Sequence, residues 1–282
     1  MQNKFSFRKF MGNLRVRILL LLYSLAVLYP LFWTVTTSFK TTEEFYENPW
    51  SLPSSISFTN YMNAFEKASI GHYFMNSVFV TVISVTLCVF VSFMAAYAIA
   101  RSKSRAMRWL RNAYMSALFI PSAFMIVPLF LLLGKIHLLD SLWGLIIVYA
   151  SVNIPYTIFL LIGFMSSIPK EYEEAASIDG CSNTKILFQI IGPMAKSSLI
   201  TVIIFNFMAA WNEYIMALSF ITTETKRTLQ LGLVYLMEIQ RFSTDWGALF
   251  AGLVIVMVPT IVAYSLLQRQ MTAGISMGGL KG

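Results

Sequence analysis

The sequence predicts an all-α, polytopic membrane fold: six transmembrane helices with one long, patterned polar loop among their connections. Three observations predict it. The 282 residues are 57% hydrophobic and only 12% charged, against roughly 25% charged in a soluble domain, so polar surface is too scarce to cover a globule in water. Six stretches reach the ~20 apolar residues that a bilayer crossing needs. The lysines and arginines are also divided unevenly among the connecting segments.

The stretches are 16–39, 74–100, 114–133, 142–164, 199–220 and 247–267. The first follows Arg15 and Arg17 as a signal peptide would. It is too long for one, lacks a small-residue cleavage site and contains Pro30 and Trp33, so it is expected to be a retained helix. Pro30, Pro121, Pro128, Pro155 and Pro259 fall inside the stretches. Prolines kink helices there, as ordinary irregularity or to shape a cavity that opens alternately to each side.

Six spans leave both ends of the chain on one side. On that side the N-terminal segment, the loop after the second span, the 165–198 loop and the C-terminal segment hold fifteen Lys and Arg, Lys4 and Lys281 among them. The other three loops hold six: Lys40, Lys67, Lys135, Lys226, Arg227 and Arg241. Basic residues accumulate on the cytoplasmic side. The expected organisation is a cytoplasmic segment 1–15, a membrane domain 16–267 with the 165–198 loop in the cytoplasm, and a cytoplasmic tail 268–282. The net charge of +8 therefore reports orientation in a lipid bilayer, and no nucleic acid partner is expected. Cys88 and Cys181 are too few and too far apart for a disulfide framework or a metal site, and no cofactor is expected.

The 165–198 loop carries the most pattern. In "SSIPKEYEEAASIDG", Ser166 or Ser167 suits a cap, Pro169 a first turn, and Glu171, Glu173 and Glu174 the positive end of a helix dipole. Gly180 supplies a left-handed stop. The expected helix covers 169–179, and Ser182 is placed to cap a second over 184–191, with Pro193 turning the chain back. Tyr172, Ala175, Ala176 and Asp179 recur at three- and four-residue spacing, so they are expected to share a low-relief face that another backbone can approach. Asp179 opposes the dipole; it either belongs to that face or accepts bonds from the following turn. An acidic helix is ill suited to lie on lipid headgroups, where basic helices predominate.

Glu174-Ala175-Ala176, three residues, Gly180, nine residues, Ile190, two residues and Pro193 resemble the EAA signature of binding-protein-dependent ABC importer permeases. "IPKEYEEAASIDG" is especially similar to the maltose-type, carbohydrate-uptake branch. "FWTVTTSFKTTEEF", "FTNYMNAF", "NSVFVT", "AAYAIAR", "WNEYIMAL" and the terminal "GGLKG" resemble that branch's second permease subunit. Gly192 departs from the pattern, standing where the family usually has leucine before the proline. The resemblance implies a bacterial inner-membrane subunit that pairs with a homologous second permease, above a cytoplasmic ATPase dimer. An extracellular or periplasmic sugar-binding protein would deliver a sugar or oligosaccharide. The coupling-helix role would fall to Tyr172, Glu174, Ala175, Ala176, Asp179 and Gly180, and the 222–247 loop would either reach the binding protein or simply cap the fold.

Polar groups inside spans are costly, so each is a candidate for the substrate path. Asn76 lies beside Ser77 at the mouth of the second span, and Asn153, Tyr156 and Thr157 flank Pro155. Asn206, Trp211, Asn212 and Glu213 lie in the fifth span. A sugar needs a ring face for its C–H groups and amides for its hydroxyls. Hydrogen bonding between helices explains an Asn or Tyr equally well, and Glu213 fits helix pairing or gating better than substrate contact. Enzymatic chemistry is not indicated. No GxxxxGK[ST] phosphate loop occurs, and His72 and His137 stand outside any acid–histidine–nucleophile set. A permease for a non-sugar solute remains an alternative. An ion-coupled secondary transporter is disfavoured by the lack of an evident repeat and of intramembrane charges beyond Glu213.

Overall fold

The computed structural model describes residues 7–66, 69–239 and 245–279. The charges counted at Lys4, Lys67, Arg241 and Lys281, the 240–244 part of the 222–247 loop and the last three residues of "GGLKG" lie outside the described residues. Every regular element among the described residues is helical. In chain order they are α1 (Phe7–Thr37), α2 (Thr42–Glu47), α3 (Thr59–Glu66), α4 (Ile70–Arg101), α5 (Arg105–Ala117), α6 (Ser122–Lys135) and α7 (Leu142–Ser167). There follow α8 (Glu171–Ile178), α9 (Asn183–Met194), α10 (Lys196–Trp211), α11 (Ile215–Phe220), α12 (Leu229–Ile239) and α13 (Trp246–Gly279).

Four helical stretches are long and apolar enough to cross a membrane, Val16–Thr37, Ile70–Arg101, Leu142–Ser167 and Trp246–Leu266; two bent pairs raise the number to six. The sequence places Pro121 inside a span as a kink, and here the bend is a full break. Within 114–133, α5 and α6 meet at 107°. Pro121 bars Ile120 from helical backbone and offers no amide to continue the ladder, so it caps α6 rather than kinking a continuous span. Pro30, Pro128, Pro155 and Pro259 do lie inside helices.

The second pair, α9 and α10, meets at 81° just after Pro193, where the sequence expects a turn. Ser182 caps α9, accepting the Lys185 amide at 3.4 Å. Its middle, Ile186–Ile191, widens into a π-helix, because Pro193 has no amide for the Gln189 carbonyl and its ring crowds that oxygen. The expected 199–220 span is also cut short, since α10 stops at Trp211 and a six-residue helix, α11, follows.

The chain forms two compact units. The first comprises Met1–Ser69 and Tyr235–Val256. The apolar 18-residue window of its Val16–Thr37 stretch has no buried residue within the chain, so that apolar surface is left to lipid or another subunit. Near the end of that stretch, Trp33 packs on Trp50 and Phe250 at 5.2 and 5.1 Å and donates its indole N–H to the Pro49 carbonyl at 2.9 Å. Lys40, 1% exposed, donates to the Asn48 and Pro49 carbonyls at 2.9 and 3.2 Å and to Ser51 Oγ at 3.1 Å. Burial holds its ammonium below the usual lysine range, against the opposing pull of the Glu44 carboxylate. Thr41 and Glu44 form a capping box that starts α2.

The second unit comprises Ile70–Val234 and Met257–Gly282. Here α4 and α7 run parallel: Phe79 meets Trp143, Cys88 meets Thr157 and Arg101 reaches the Ile168 carbonyl, each pair further along both helices. α10 runs the other way, with Asn206 opposite Cys88 and Trp211 against Phe74. One end is closed by a core of Phe93, Ala96, Ile158, Leu161, Met165 and Ile191, to which α8 contributes Ala176.

Candidate functional site

The α8 helix is shorter than its pattern suggests. It starts at Glu171 and ends at Ile178, with Asp179 as its C-cap. Neither Ser166 nor Ser167 caps it; both belong to α7 and bond back to the Ile162 and Phe164 carbonyls at 2.8 and 2.7 Å. Gly180 terminates it at φ +78°, the left-handed conformation expected there.

The helix has two sides, and they divide the predicted face. Glu173 and Ala176 point inward. Ala176 is buried in the core shared by α4, α7, α9 and α10, a correction to its expected place beside Tyr172, Ala175 and Asp179. The reason is that its methyl joins that cluster of larger apolar side chains, while its neighbour Ala175 stays outside it. Glu173 is held by Arg101 Nε at 2.6 Å and the Tyr97 hydroxyl at 3.0 Å, while Arg101 Nη2 donates to the Ile168 carbonyl at 3.0 Å. Glu171, Tyr172, Glu174, Ala175, Ile178 and Asp179 are exposed. Ile178, 87% exposed, is an apolar side chain on a polar loop that the sequence reading passed over, as it did the Arg101–Glu173 tie. The three-residue step from Glu173 to Ala176 and the seven-residue step from Glu171 to Ile178 are the signals that mark the two sides.

Most of the polar candidates in the spans have hydrogen-bond partners within the chain. Asn76 donates to the Thr225 and Arg227 carbonyls, both at 2.9 Å. Asn153 bonds to the Tyr149 carbonyl of its own helix at 2.8 Å. Asn206, buried, donates to Thr157 Oγ1 and the Val202 carbonyl at 2.8 Å and accepts from the Cys88 thiol at 3.2 Å. Trp211, 2% exposed, stacks on Phe207 at 5.7 Å. Glu213 accepts the Tyr149 hydroxyl at 2.5 Å and the Met216 and Ala217 amides at 2.7 and 3.2 Å, so it ties α11 to α7. Asn212 and Tyr156 are the exposed ones. Asn212 Nδ2 bonds to the Met208 carbonyl at 2.9 Å. The Tyr156 hydroxyl has no hydrogen-bond partner among the described residues, and its ring meets Phe205 edge-on at 6.2 Å.

At the opposite end from α8, the start of the 222–247 loop is pinned from the α6–α7 connection and from α4. The Asp140 carboxylate accepts the Thr222 and Thr223 amides at 2.9 Å, the Thr223 hydroxyl at 2.5 Å and the Lys226 ammonium at 3.0 Å. Burial pushes this carboxyl up, but the Thr223 hydroxyl and amide, the Thr222 amide and Lys226 outweigh it and hold it well below the usual carboxylate range. From α4, Asn76 and His72 Nε2 converge on the Thr225 carbonyl, and Ser77 Oγ accepts the Leu229 amide at 2.8 Å.

Comparison with known proteins agrees with this architecture. A family model described as "Binding-protein-dependent transport system inner membrane component" matches residues 89–276. The probable ABC transporter permease protein YurM of Bacillus subtilis is 37% identical over 97% of this chain and 90% of its own length. The diacetylchitobiose uptake system permease protein NgcG of Streptomyces coelicolor is 37% identical over 92% of this chain and 86% of its own. In fold, the chain superposes on a chain from the crystal structure of a bacterial ABC transporter involved in import of the acidic polysaccharide alginate. The TM-score is 0.84 at 22% identity, covering 95% of this chain and 99% of that one.

Proposed function

Because the chain belongs to the binding-protein-dependent transport system inner membrane components, we propose that it is the permease subunit of an ATP-driven importer for a sugar or oligosaccharide. The carbohydrate class is supported by the likeness to the diacetylchitobiose permease and by the carbohydrate-branch motifs in the sequence. Its working partners are a homologous second permease, a cytoplasmic ATPase dimer and an extracellular or periplasmic sugar-binding protein, and both termini lie in the cytoplasm.

The observation that carries the coupling role is the two-sidedness of α8. Its outer side, Glu171, Tyr172, Glu174, Ala175, Ile178 and Asp179, is presented to the ATPase, while Glu173 and Ala176 fasten its inner side to the membrane helices. Gly180 ends the helix so that the chain turns back beneath the core. A short helix fixed on one side and bare on the other transmits displacement as a rigid body. For the substrate path, Tyr156 and Asn212 are the residues proposed to meet the sugar, since they are exposed, whereas Asn76, Asn206 and Trp211 are buried and Asn153 and Glu213 half-buried.

Reconstitution with the ATPase, the second permease and the binding protein tests the proposal. Sugar uptake that requires ATP hydrolysis is expected. Uptake driven by an ion gradient without ATP, or failure of the ATPase to bind the assembled permeases, defeats it.

A further inference from the structure

The helix α5 is a second surface element at the end of the unit that carries α8, since its Met107 and Tyr114 pack against the same core that receives Ala176. Those two residues define its inner side. Of the two flanks that remain, one carries Trp109, Leu110 and Ala113, the other Arg108 and Arg111, and Arg105 lies on the outermost side, by the 3.6-residue turn. Trp109 is 72% exposed. Just past α5, at the bend, Phe119 and Ile120 are exposed as well. The sequence contains no acidic residue between Glu66 and Asp140. Of the five basic residues from Arg101 to Arg111, Arg101 turns inward to Glu173. Lys103, Arg105, Arg108 and Arg111 are exposed, and no carboxylate among the described residues pairs with them.

From this arrangement we propose that α5 lies in the membrane–water boundary of the cytoplasmic leaflet and that its basic side holds anionic phospholipid headgroups. Trp109 and the Phe119 corner sink toward the acyl chains, as tryptophan and apolar residues do in interfacial helices whose polar face is basic. The 107° turn into α6 permits this, because it lets α5 lie across the direction of the helix that follows. Arginine cannot enter the hydrocarbon layer without large cost. Phosphate oxygens meet its fork of donors, and unpaired cationic charge selects an anionic lipid over a neutral one. The inference needs only the membrane placement of the chain, so it stands or falls separately from the transport reading.

The test uses the full chain in nanodiscs of phosphatidylglycerol mixed with phosphatidylcholine, with the lipids that survive detergent extraction identified by native mass spectrometry. Wild-type protein is expected to retain phosphatidylglycerol preferentially. The variant R105Q/R108Q/R111Q is expected to lose about fivefold of that preference per arginine removed, and R105K/R108K/R111K to keep most of it. Equal retention of both lipids by the wild type, or an unchanged preference in the glutamine variant, overturns the proposal. Loss of ATPase binding with lipid preference intact also overturns it, and assigns the basic side to the ATPase instead.

Discussion

Arg101 Nε lies 2.6 Å from Glu173 Oε1, joining the last residue of α4 to the first turn of α8. The same guanidinium holds the Ile168 carbonyl at the end of α7. One side chain therefore gathers two parallel membrane helices and the exposed helix between the fourth and fifth spans. Removing one partner from a buried pair costs about 3–5 kcal/mol, and from this half-buried one, less. Arg101→Met and Glu173→Gln are expected to insert normally but hydrolyse more ATP per sugar imported, and the double exchange Arg101→Glu/Glu173→Arg to recover part of the coupling. Wild-type stoichiometry in both single variants would show that the tie transmits nothing.

Ile178 and Ala175 are predicted to set ATPase affinity. An isoleucine buried on docking contributes about 2 kcal/mol, so Ile178→Ala should weaken binding of the purified ATPase by roughly thirtyfold. Ala175→Trp should prevent close approach altogether. Both are exposed, so thermal stability of the isolated permease should not move.

Gly180 sits at φ +78° with open space where a Cβ would lie, so the cost of substitution is conformational rather than steric. Gly180→Ala should destabilise the end of α8 by about 1 kcal/mol, and Gly180→Asn by less, because asparagine tolerates the left-handed region. Hydrogen exchange of the 177–182 amides measures both, and equal protection in the two variants would contradict the assignment.

Asn206 and Tyr156 should separate fold from substrate path. Asn206→Leu removes the polar pin between α4, α7 and α10 and should lower stability by about 1 kcal/mol with little change in the KM of uptake. Tyr156→Ala should raise that KM severalfold with stability near wild type. The opposite pattern would place the sugar at Asn206.

Asp140 predicts an acid-sensitive loop. Its carboxyl is held low in the folded protein, so it contributes stability above its unfolded value of about 4 and loses it as pH falls through the folded value. The Tm difference between wild type and Asp140→Asn should be fullest near neutral pH and shrink on acidification below about pH 4. A constant difference across that range would mean the four hydrogen bonds do not depend on charge.

How much was legible beforehand follows from the range of each interaction. The apolar stretches, the Ser182 cap, the Gly180 stop and the turn at Pro193 are local properties of a few neighbouring residues, and all appear in the structure. Pro121 is equally visible in the sequence, but its position does not say whether it kinks a helix or ends one. A proline inside a span kinks or ends it according to whether the four-residue ladder is restored; here the Leu118, Phe119 and Ile120 amides bond only three residues back, and a new helix starts after Pro121. Spacing alone grouped Ala176 with Tyr172, Ala175 and Asp179, because periodicity names the residues near a face without saying where its boundary falls.

The sequence by itself determined that the chain is a helical membrane protein, where its spans lie and which loop carries the signature of its family, since hydropathy, charge and capping act over short distances. Only the tertiary structure decided which side of α8 is free. That depends on Arg101 meeting Glu173 across 72 residues and on Asn206, Thr157 and Cys88 converging from three helices. Such meetings are set by how the helices pack, and no local pattern records them.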